Sequence, residues 1–323
     1  MGGTPARVLH GLLLVIVGMA CFGAVEDRAD GPAATGPLPG TAPLLLERPL
    51  DEVMVDGIDR FLLERTALQK QSRRQEWTRA LADVGGRDAF RAAARESLRE
   101  VLGVVDRRSE DRGWLLQADG EKVTDLVVAK DLTAVRVSFD ALEGVTVEGV
   151  VLLPRGRQPR AWVIAIGDAA WTPESFAGLL AADGDAAAAS RLPRLLVAAG
   201  CGVFLPTILD RDDEWSGNPA IRFTNQPHRE YVYRPAFEVG RHPLGYEIQK
   251  VLAAVDRIEA IPAVENAPIP VGVCGVGDGG RLALLAAACD DRIDATLVCG
   301  AFGPREDTWQ EPIDRNVWRL LAI

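Results

Sequence analysis

The chain has 323 residues, of which 48% are hydrophobic and 25% are charged, as in an ordinary folded protein with a sizeable core. Its length allows one large domain with smaller additions. A formal net charge of −10, without any run of Lys and Arg, argues against a nucleic-acid backbone or an anionic membrane surface as a partner.

The first predicted element is an export signal. The stretch GLLLVIVGMACFGAV contains fifteen apolar or small residues and would span about 22 Å as a helix, which is too short for a bilayer core. We therefore predict a signal peptide over residues 1–24 and an exported protein, periplasmic, extracellular or lipid-anchored. A lipid anchor at Cys21 or an uncleaved signal is the only membrane attachment that we expect. Residues 25–48, rich in Pro, Gly and Ala without periodicity, predict a disordered linker.

We predict a helical N-terminal extension over residues 49–110. Val53, Ile58, Phe61 and Leu62 recur near helical spacing with charges between them, and residues further along the extension repeat the pattern. We expect two or three amphipathic helices that pack on the main domain. Binding of another partner is the alternative use of their apolar faces.

The remaining residues, 111–323, predict an α/β domain. Alternating apolar residues on both sides of Glu143 and Gly144 indicate an antiparallel hairpin that ends at Pro154. Four short apolar runs with helical stretches between them then follow, as in parallel strands that are buried on both faces: 161–168, 202–208, 271–277 and 295–302. The expected fold is a doubly wound, mostly parallel sheet, with ligands at the carboxyl ends of its strands.

A glycine-rich turn, GVGDGG, joins the third of these runs to a helix. A nucleophile elbow has this setting, and it needs small residues two positions before and two positions after its tip, so that strand and helix approach closely. Small residues at Gly275 and Gly279 place the tip at Gly277, which has no side chain that can attack a substrate.

Two other interpretations of this turn remain open. Moving the frame by one residue makes Asp278 the tip and a candidate carboxylate nucleophile, although Val276 then occupies a position for a small residue. A turn-stabilising or substrate-contacting role is the more ordinary one for Asp278. Gly275, Gly277 and Gly280 also satisfy a dinucleotide-binding pattern, but the pattern lies late in the chain, and Asp294 and Asp307 are poor matches to the ribose-binding acid.

With this turn and this order of elements, the chain resembles the α/β-hydrolase superfamily, and more narrowly exported dienelactone hydrolases and acetyl xylan esterases. The narrower resemblance rests on residues 224–256, 277–306 and 309–318. It implies hydrolysis of a small-molecule or carbohydrate ester, without a cofactor or a metal. The superfamily has Ser or Cys where this chain has Gly277, followed by an acid and a His. Because no His follows Gly277, we expect the domain to be truncated at its C-terminus.

Several other residues are candidates for the site. Gly167, Asp168 and Ala169 end a predicted strand where a hydrolase places one backbone donor of its oxyanion hole, the other being the amide of Asp278. An ordinary turn is the alternative. His228 is a candidate base from an unusual position, and the alternative is that it orders a long loop or lines a cleft.

We expect Arg229, which follows His228, to order the same loop or to line the cleft. Cys274 and Cys299 end two strands that are candidate neighbours, so that a disulfide between them is possible. Two function classes follow from the sequence: an exported carboxylic ester hydrolase, or a non-catalytic ligand-binding protein that keeps the cleft without a triad.

Overall fold

A computed structural model of the chain describes these residues: 39–42, 47–116, 118–119, 122–123, 125–181, 183–214, 216, 220, 226–262, 268–305 and 307–320. The predicted signal peptide, Cys21 and most of the predicted linker lie outside the described residues and stay predictions. The chain divides into two units, Met1–Asp59 and Arg60–Ile323.

In the described chain, helices precede the strands and separate several of them. The helices are α1 (Leu50–Ala82), α2 (Arg87–Val101), α3 (Pro173–Phe176), α4 (Gly184–Ala189), α5 (Arg191–Ala198), α6 (His228–Glu238), α7 (Pro243–Glu259) and α8 (Asp278–Cys289). The strands are β1 (Leu115–Leu116), β2 (Ala118–Asp119), β3 (Lys122–Val123), β4 (Asp125–Val128), β5 (Leu132–Leu142), β6 (Val145–Pro154), β7 (Ala161–Ile166), β8 (Cys201–Pro206), β9 (Val271–Val276) and β10 (Ala295–Cys299). Two 3-10 turns follow β10, at Thr308–Gln310 and Ile313–Arg315.

Helix α1 differs from the predicted packed helix, because it contains no buried residue. Phe61 and Leu62, in the second unit, are 52% and 55% exposed. The predicted apolar positions do not form one narrow stripe, since Val53 and Ile58, five residues apart, point about 140° apart around a helix. Among the described residues, no helix combines the length and the apolar character that crossing a membrane requires.

The sheet confirms the predicted fold class. It has eight strands in the order β1-β5-β6-β8-β7-β9-β10, with β4 also paired to β5. The pairs β5–β6 and β6–β8 are antiparallel, whereas β8, β7, β9 and β10 run parallel to one another. This is an α/β-hydrolase-like arrangement: an antiparallel hairpin leads into a parallel half-sheet. The short strands β1 to β4 were not predicted.

Both faces of the parallel half-sheet are covered by helices. Ile164 and Ile166 of β7 belong to one core cluster, together with Ile248 of α7 and residues of α8. Ala165, between them, belongs to a second cluster with Phe176 of α3 and residues of α5. Because side chains alternate along a strand, successive residues of β7 enter opposite layers. This explains why the predicted strands are nearly continuous apolar runs.

The possible disulfide is not formed. Cys274 and Cys299 are both free thiols, the first buried and the second exposed. The register of β9 and β10 places Cys274 opposite Leu297, and Cys299 opposite Val276, so the two cysteines are not paired across the strands. Burial raises the pKa of the Cys274 thiol to about 12.

His242 begins α7 as a neutral cap. Its Nδ1 accepts a hydrogen bond from the Leu244 N–H at 3.1 Å, and its Nε2–H donates to the Asn316 carbonyl at 2.9 Å. These partners require the tautomer with its proton on Nε2. His242 is buried, and this burial lowers the pKa of its imidazole from 6.5 to about 4.

We predict that acidification destabilises the protein through His242. The unfolded imidazole takes up a proton near pH 6.5, whereas the folded one stays neutral until about pH 4. Its stabilising contribution is therefore complete above pH 6.5 and is lost as the pH falls toward 4. Between pH 7.5 and 5.5 the expected loss is about 1 kcal/mol. Urea unfolding at the two pH values should show a smaller loss for His242→Asn, which keeps a capping acceptor without a titrating group. An equal loss in both proteins would contradict this role.

Candidate functional site

The glycine turn lies at the edge of the sheet where β8, β7, β9 and β10 have their carboxyl ends. Strand β9 ends at Val276, helix α8 begins at Asp278, and Gly277 joins them with φ +59° and ψ −122°. This left-handed conformation is one that L side chains rarely adopt. The Gly277 N–H donates to the Cys299 carbonyl at the end of β10, at 2.9 Å. The turn therefore has the sharp strand-to-helix geometry of a nucleophile elbow, with Gly277 at its tip.

Close backbone contacts explain the small residues on both sides of the tip. A Cβ atom on Gly275 would lie 2.0 Å from the Gly279 carbonyl oxygen, and one on Gly279 would lie 2.2 Å from the Ile166 carbonyl oxygen. Both neighbours are backbone atoms, which cannot move aside cheaply. The spacing of the small residues thus fixes how closely α8 approaches β7 and β9.

The Asp168 carboxylate lies over the tip of the elbow. Its Oδ2 accepts a hydrogen bond from the Asp278 N–H at 3.1 Å, and its Oδ1 accepts one from the Ala170 N–H at 3.1 Å. A Cβ atom on Gly277 would lie only 2.1 Å from Asp168 Oδ2. The Asp278 amide is the donor that the sequence assigned to an oxyanion hole. In this structure, that amide binds an oxygen of the protein itself.

The two residues beside Asp168 contribute to packing. Ala169 is 3% exposed, and a Cβ atom on Gly167 would lie 3.3 Å from the Phe176 ring and 3.5 Å from the Trp171 ring. The sequence predicted backbone donors in this turn. The acceptor side chain of Asp168 was missed, because nothing local distinguishes it from an ordinary turn aspartate.

The Asp278 carboxylate is buried between two arginines. It is 4% exposed, its Oδ2 pairs with Arg211, and its Oδ1 lies 3.1 Å from Arg315 Nη2. Each oxygen of this carboxylate is thus occupied by one guanidinium group. Neither arginine was predicted from the sequence, because both lie far from residue 278 along the chain.

His228, the candidate base, is paired with an acid. It begins α6, and its Nδ1 lies 2.6 Å from Oδ1 of Asp210, which follows β8. A carboxylate only accepts, so Nδ1 donates. Asp210 was missed because it is one of four acids between residues 210 and 214, although its position after the carboxyl end of a strand is a signal that could have found it.

A cavity of about 390 Å³ adjoins this pair of side chains. Its lining includes Thr207, Asp210, His228, Tyr231 and Lys250. Burial lowers the pKa of Lys250, although nearby carboxylates oppose this shift. The structure thus places His228 at a cavity at the end of β8 that is mostly apolar and carries several polar side chains.

Arg229 orders the loop from within and does not line this cavity. It is 1% exposed, donates to the Leu209 carbonyl at 2.6 Å, and pairs with Glu247 and Asp314, each at 2.8 Å. Burial alone would lower the pKa of Arg229, but Glu247 and Asp314 raise it above the ordinary arginine value. Of the two roles expected for Arg229, the contacts match loop ordering.

The same edge of the sheet lacks features that a dinucleotide or metal site needs. A pyrophosphate at the start of α8 would meet the Asp168 carboxylate, which already holds the Asp278 amide. A Cβ atom on Gly280 would lie 2.6 Å from the Cys299 carbonyl oxygen, so this glycine serves helix–strand packing. In the described part of the chain, no three His, Cys, Asp or Glu side chains are grouped as metal ligands.

The chain is similar to known proteins only at the level of solved structures. No family model and no curated protein matches the chain. A proposed acetyl xylan esterase from Bacteroides fragilis is 14% identical with a TM-score of 0.49, over 65% of this chain and 53% of that one. Acetyl xylan esterase 1 from Thermoanaerobacterium sp. is 14% identical with a TM-score of 0.43, over 71% and 64%. A cold-adapted esterase from an Arctic intertidal metagenomic library is 21% identical with a TM-score of 0.34, over 54% and 61%.

The matched region spans between half and two thirds of each of these proteins. Their TM-scores all lie below 0.5, so the α/β-hydrolase-like class rests on the strand order and elbow of this chain itself. These structural neighbours are named as esterases, and that name describes their activity and not the activity of this chain.

We predict that Arg229→Met destabilises the protein by about 3–5 kcal/mol, because it leaves the Glu247 and Asp314 carboxylates buried without their cation. Arg234→Met is a matched control on the same helix. Arg234 pairs with Glu230 and its side chain is 38% exposed, so its loss should cost less than about 1 kcal/mol. Urea unfolding measures both. Similar losses in the two variants would show that the Arg229 cluster does not hold the loop.

Proposed function

We propose that this chain is a non-catalytic ligand-binding protein with an α/β-hydrolase-like fold. One arrangement carries the proposal: Gly277 provides no nucleophile at the elbow tip, and the Asp168 carboxylate accepts the Asp278 N–H. In acyl transfer, a nucleophile attacks from the tip and this amide stabilises the developing oxyanion. Here the attacking atom is missing, and a negative charge already stands where negative charge would develop.

The cavity at the end of β8 is the binding site in this proposal. Thr207, Asp210, His228 and Lys250 give it a hydroxyl, a carboxylate, an imidazole and an ammonium group. Such a mixture of donors and acceptors suits a ligand with many hydroxyl or ester oxygens. The volume of about 390 Å³ is within the range of about 300–1,000 Å³ for small-molecule sites. A carbohydrate or another small-molecule ester is the ligand class that we propose.

Carboxylic ester hydrolysis is the second candidate function, and the Asp210–His228 pair favours it. A carboxylate 2.6 Å from Nδ1 orients the imidazole, so that Nε2 can act as a general base toward water. This mechanism needs no nucleophile at Gly277. It still lacks the Asp278 amide as an oxyanion donor, because Asp168 occupies that amide.

We expect the purified chain to hydrolyse p-nitrophenyl acetate no faster than its His228→Asn variant. With the tip empty and the elbow amide occupied, the site retains no attacking group of its own. The rates are compared in a spectrophotometric assay. Activity that His228→Asn removes would favour the hydrolase over the binding protein. Activity that survives this change but is lost in Asp278→Asn would identify Asp278, at the elbow, as the catalytic group.

The binding half of the proposal is tested on the same preparations. Calorimetric titration with triacetin and with an acetylated xylo-oligosaccharide should show binding to the wild-type chain. Lys250→Met, which removes one ionic hydrogen-bond donor from the cavity, should weaken that binding by about tenfold. The Arg234→Met variant is the matched control and should bind like the wild type. Failure of both ligands to bind would contradict the assignment of this cavity.

A further inference from the structure

A second cavity, of about 550 Å³, lies within the second unit, away from the cavity at His228. Its walls come from α1, α2, α8 and the segment that follows β10. Apolar side chains such as Trp77, Leu98, Leu285 and Val317 form much of the lining. The volume is again within the range of about 300–1,000 Å³ for small-molecule sites.

All charged residues that line this cavity are arginines. No Asp or Glu of the described residues lines it. The six lining arginines are Arg73, Arg91, Arg95, Arg281, Arg305 and Arg315. The chain as a whole carries a formal net charge of −10, so this concentration of cations runs against its overall charge. Clustered guanidinium groups beside an apolar wall favour an anionic ligand.

Arg281 has donors that no described residue accepts. The residue is 8% exposed, and its Nη2 donates to Glu311 at 2.8 Å. Its Nε and Nη1 atoms are buried and have no hydrogen-bond partner among the described residues, and the same holds for Nε of Arg315. Buried N–H groups of a charged side chain are costly to leave without acceptors. They point to an acceptor beyond the described residues, such as a bound ligand.

The neighbouring cations also favour an added negative charge beside Arg281. Burial, and then the charge of Arg281, lower the pKa of Arg305, whose Nη2 donates to the Ala301 carbonyl rather than to a carboxylate. Glu311 is shared between Arg281 and Arg315. Arg95 and Arg91 have acids of their own, Asp291 and Asp88, at 2.7 and 3.9 Å. Glu311, in contrast, serves two cations, so a further negative charge beside Arg281 would relieve the repulsion there.

We propose that this cavity binds an anionic amphiphile, with a single carboxylate on the Arg281 guanidinium and an alkyl chain against the apolar wall. A planar guanidinium matches a carboxylate with two parallel hydrogen bonds. The alkyl chain gains from burial against Trp77 and the leucines. The proposal is independent of the function assigned to the His228 cavity, because the two cavities share no lining residue.

Calorimetric titration of the full chain with decanoate tests this site. We expect saturable binding of decanoate, and none of decyltrimethylammonium, which has the same tail and the opposite charge. Arg281→Met should weaken decanoate binding at least about tenfold. Arg107→Met is the matched control, because Arg107 does not line the cavity and its side chain is 83% exposed. It should bind decanoate like the wild type. If decyl phosphate binds more tightly than decanoate, the preferred head group is a phosphate, and the assignment of a carboxylate is wrong.

Three results would overturn the proposal: no binding of decanoate, the same affinity for decanoate in Arg281→Met and Arg107→Met, or equal binding of decanoate and decyltrimethylammonium. Circular dichroism establishes that each variant is folded. If Arg281→Met does not fold, Arg305→Met takes its place, since it also removes a cation from the lining without removing a carboxylate pair. Equal binding of decanoate and decyltrimethylammonium would mean that only the apolar wall acts. Hydrolysis of p-nitrophenyl acetate has no bearing on this site, so the two proposals fail separately.

Discussion

The contact between the Asp168 carboxylate and the Asp278 N–H determines what the carboxyl edge of the sheet can do. The first amides of a helix attract negative charge, and in α8 this attraction is met by a side chain from the neighbouring strand end. The Asp278 carboxylate, in turn, is held by Arg211 and Arg315. Each carboxylate at the elbow therefore has its partners inside the protein. This pairing is the basis of the binding role that we propose.

The segment after β10 is tied to the same edge through successive polar side chains. Glu311 accepts from Arg281, Asp314 pairs with Arg229, Arg315 pairs with Asp278, and the Asn316 carbonyl accepts from His242. These contacts come from α8, α6 and the start of α7. The same segment forms part of the wall of the arginine-lined cavity, and its Arg315 both lines that cavity and pairs with Asp278 of the elbow.

Much of the fold could be predicted from the sequence, because the physical signals are local. Buried parallel strands appear in the sequence as apolar runs. Gly275 and Gly279 indicate a turn whose close backbone contacts leave no room for side chains. The charge partners were not predictable in this way. Asp278 and Arg211 are 67 residues apart, and Asp168 and Asp278 are 110 apart, without a periodic pattern to connect them. Strands of two to four residues, such as β1 and β4, are too short for any alternation to reveal.

A double-mutant cycle between residues 277 and 168 tests the arrangement of the elbow most directly. Gly277→Ala should destabilise the wild-type chain by about 1–3 kcal/mol, because alanine must adopt a left-handed φ and meet the Asp168 carboxylate. In the Asp168→Ala background the carboxylate is gone, and the same substitution should cost about 1 kcal/mol less. Equal costs in the two backgrounds, measured by urea unfolding, would mean that Asp168 does not lie over the tip.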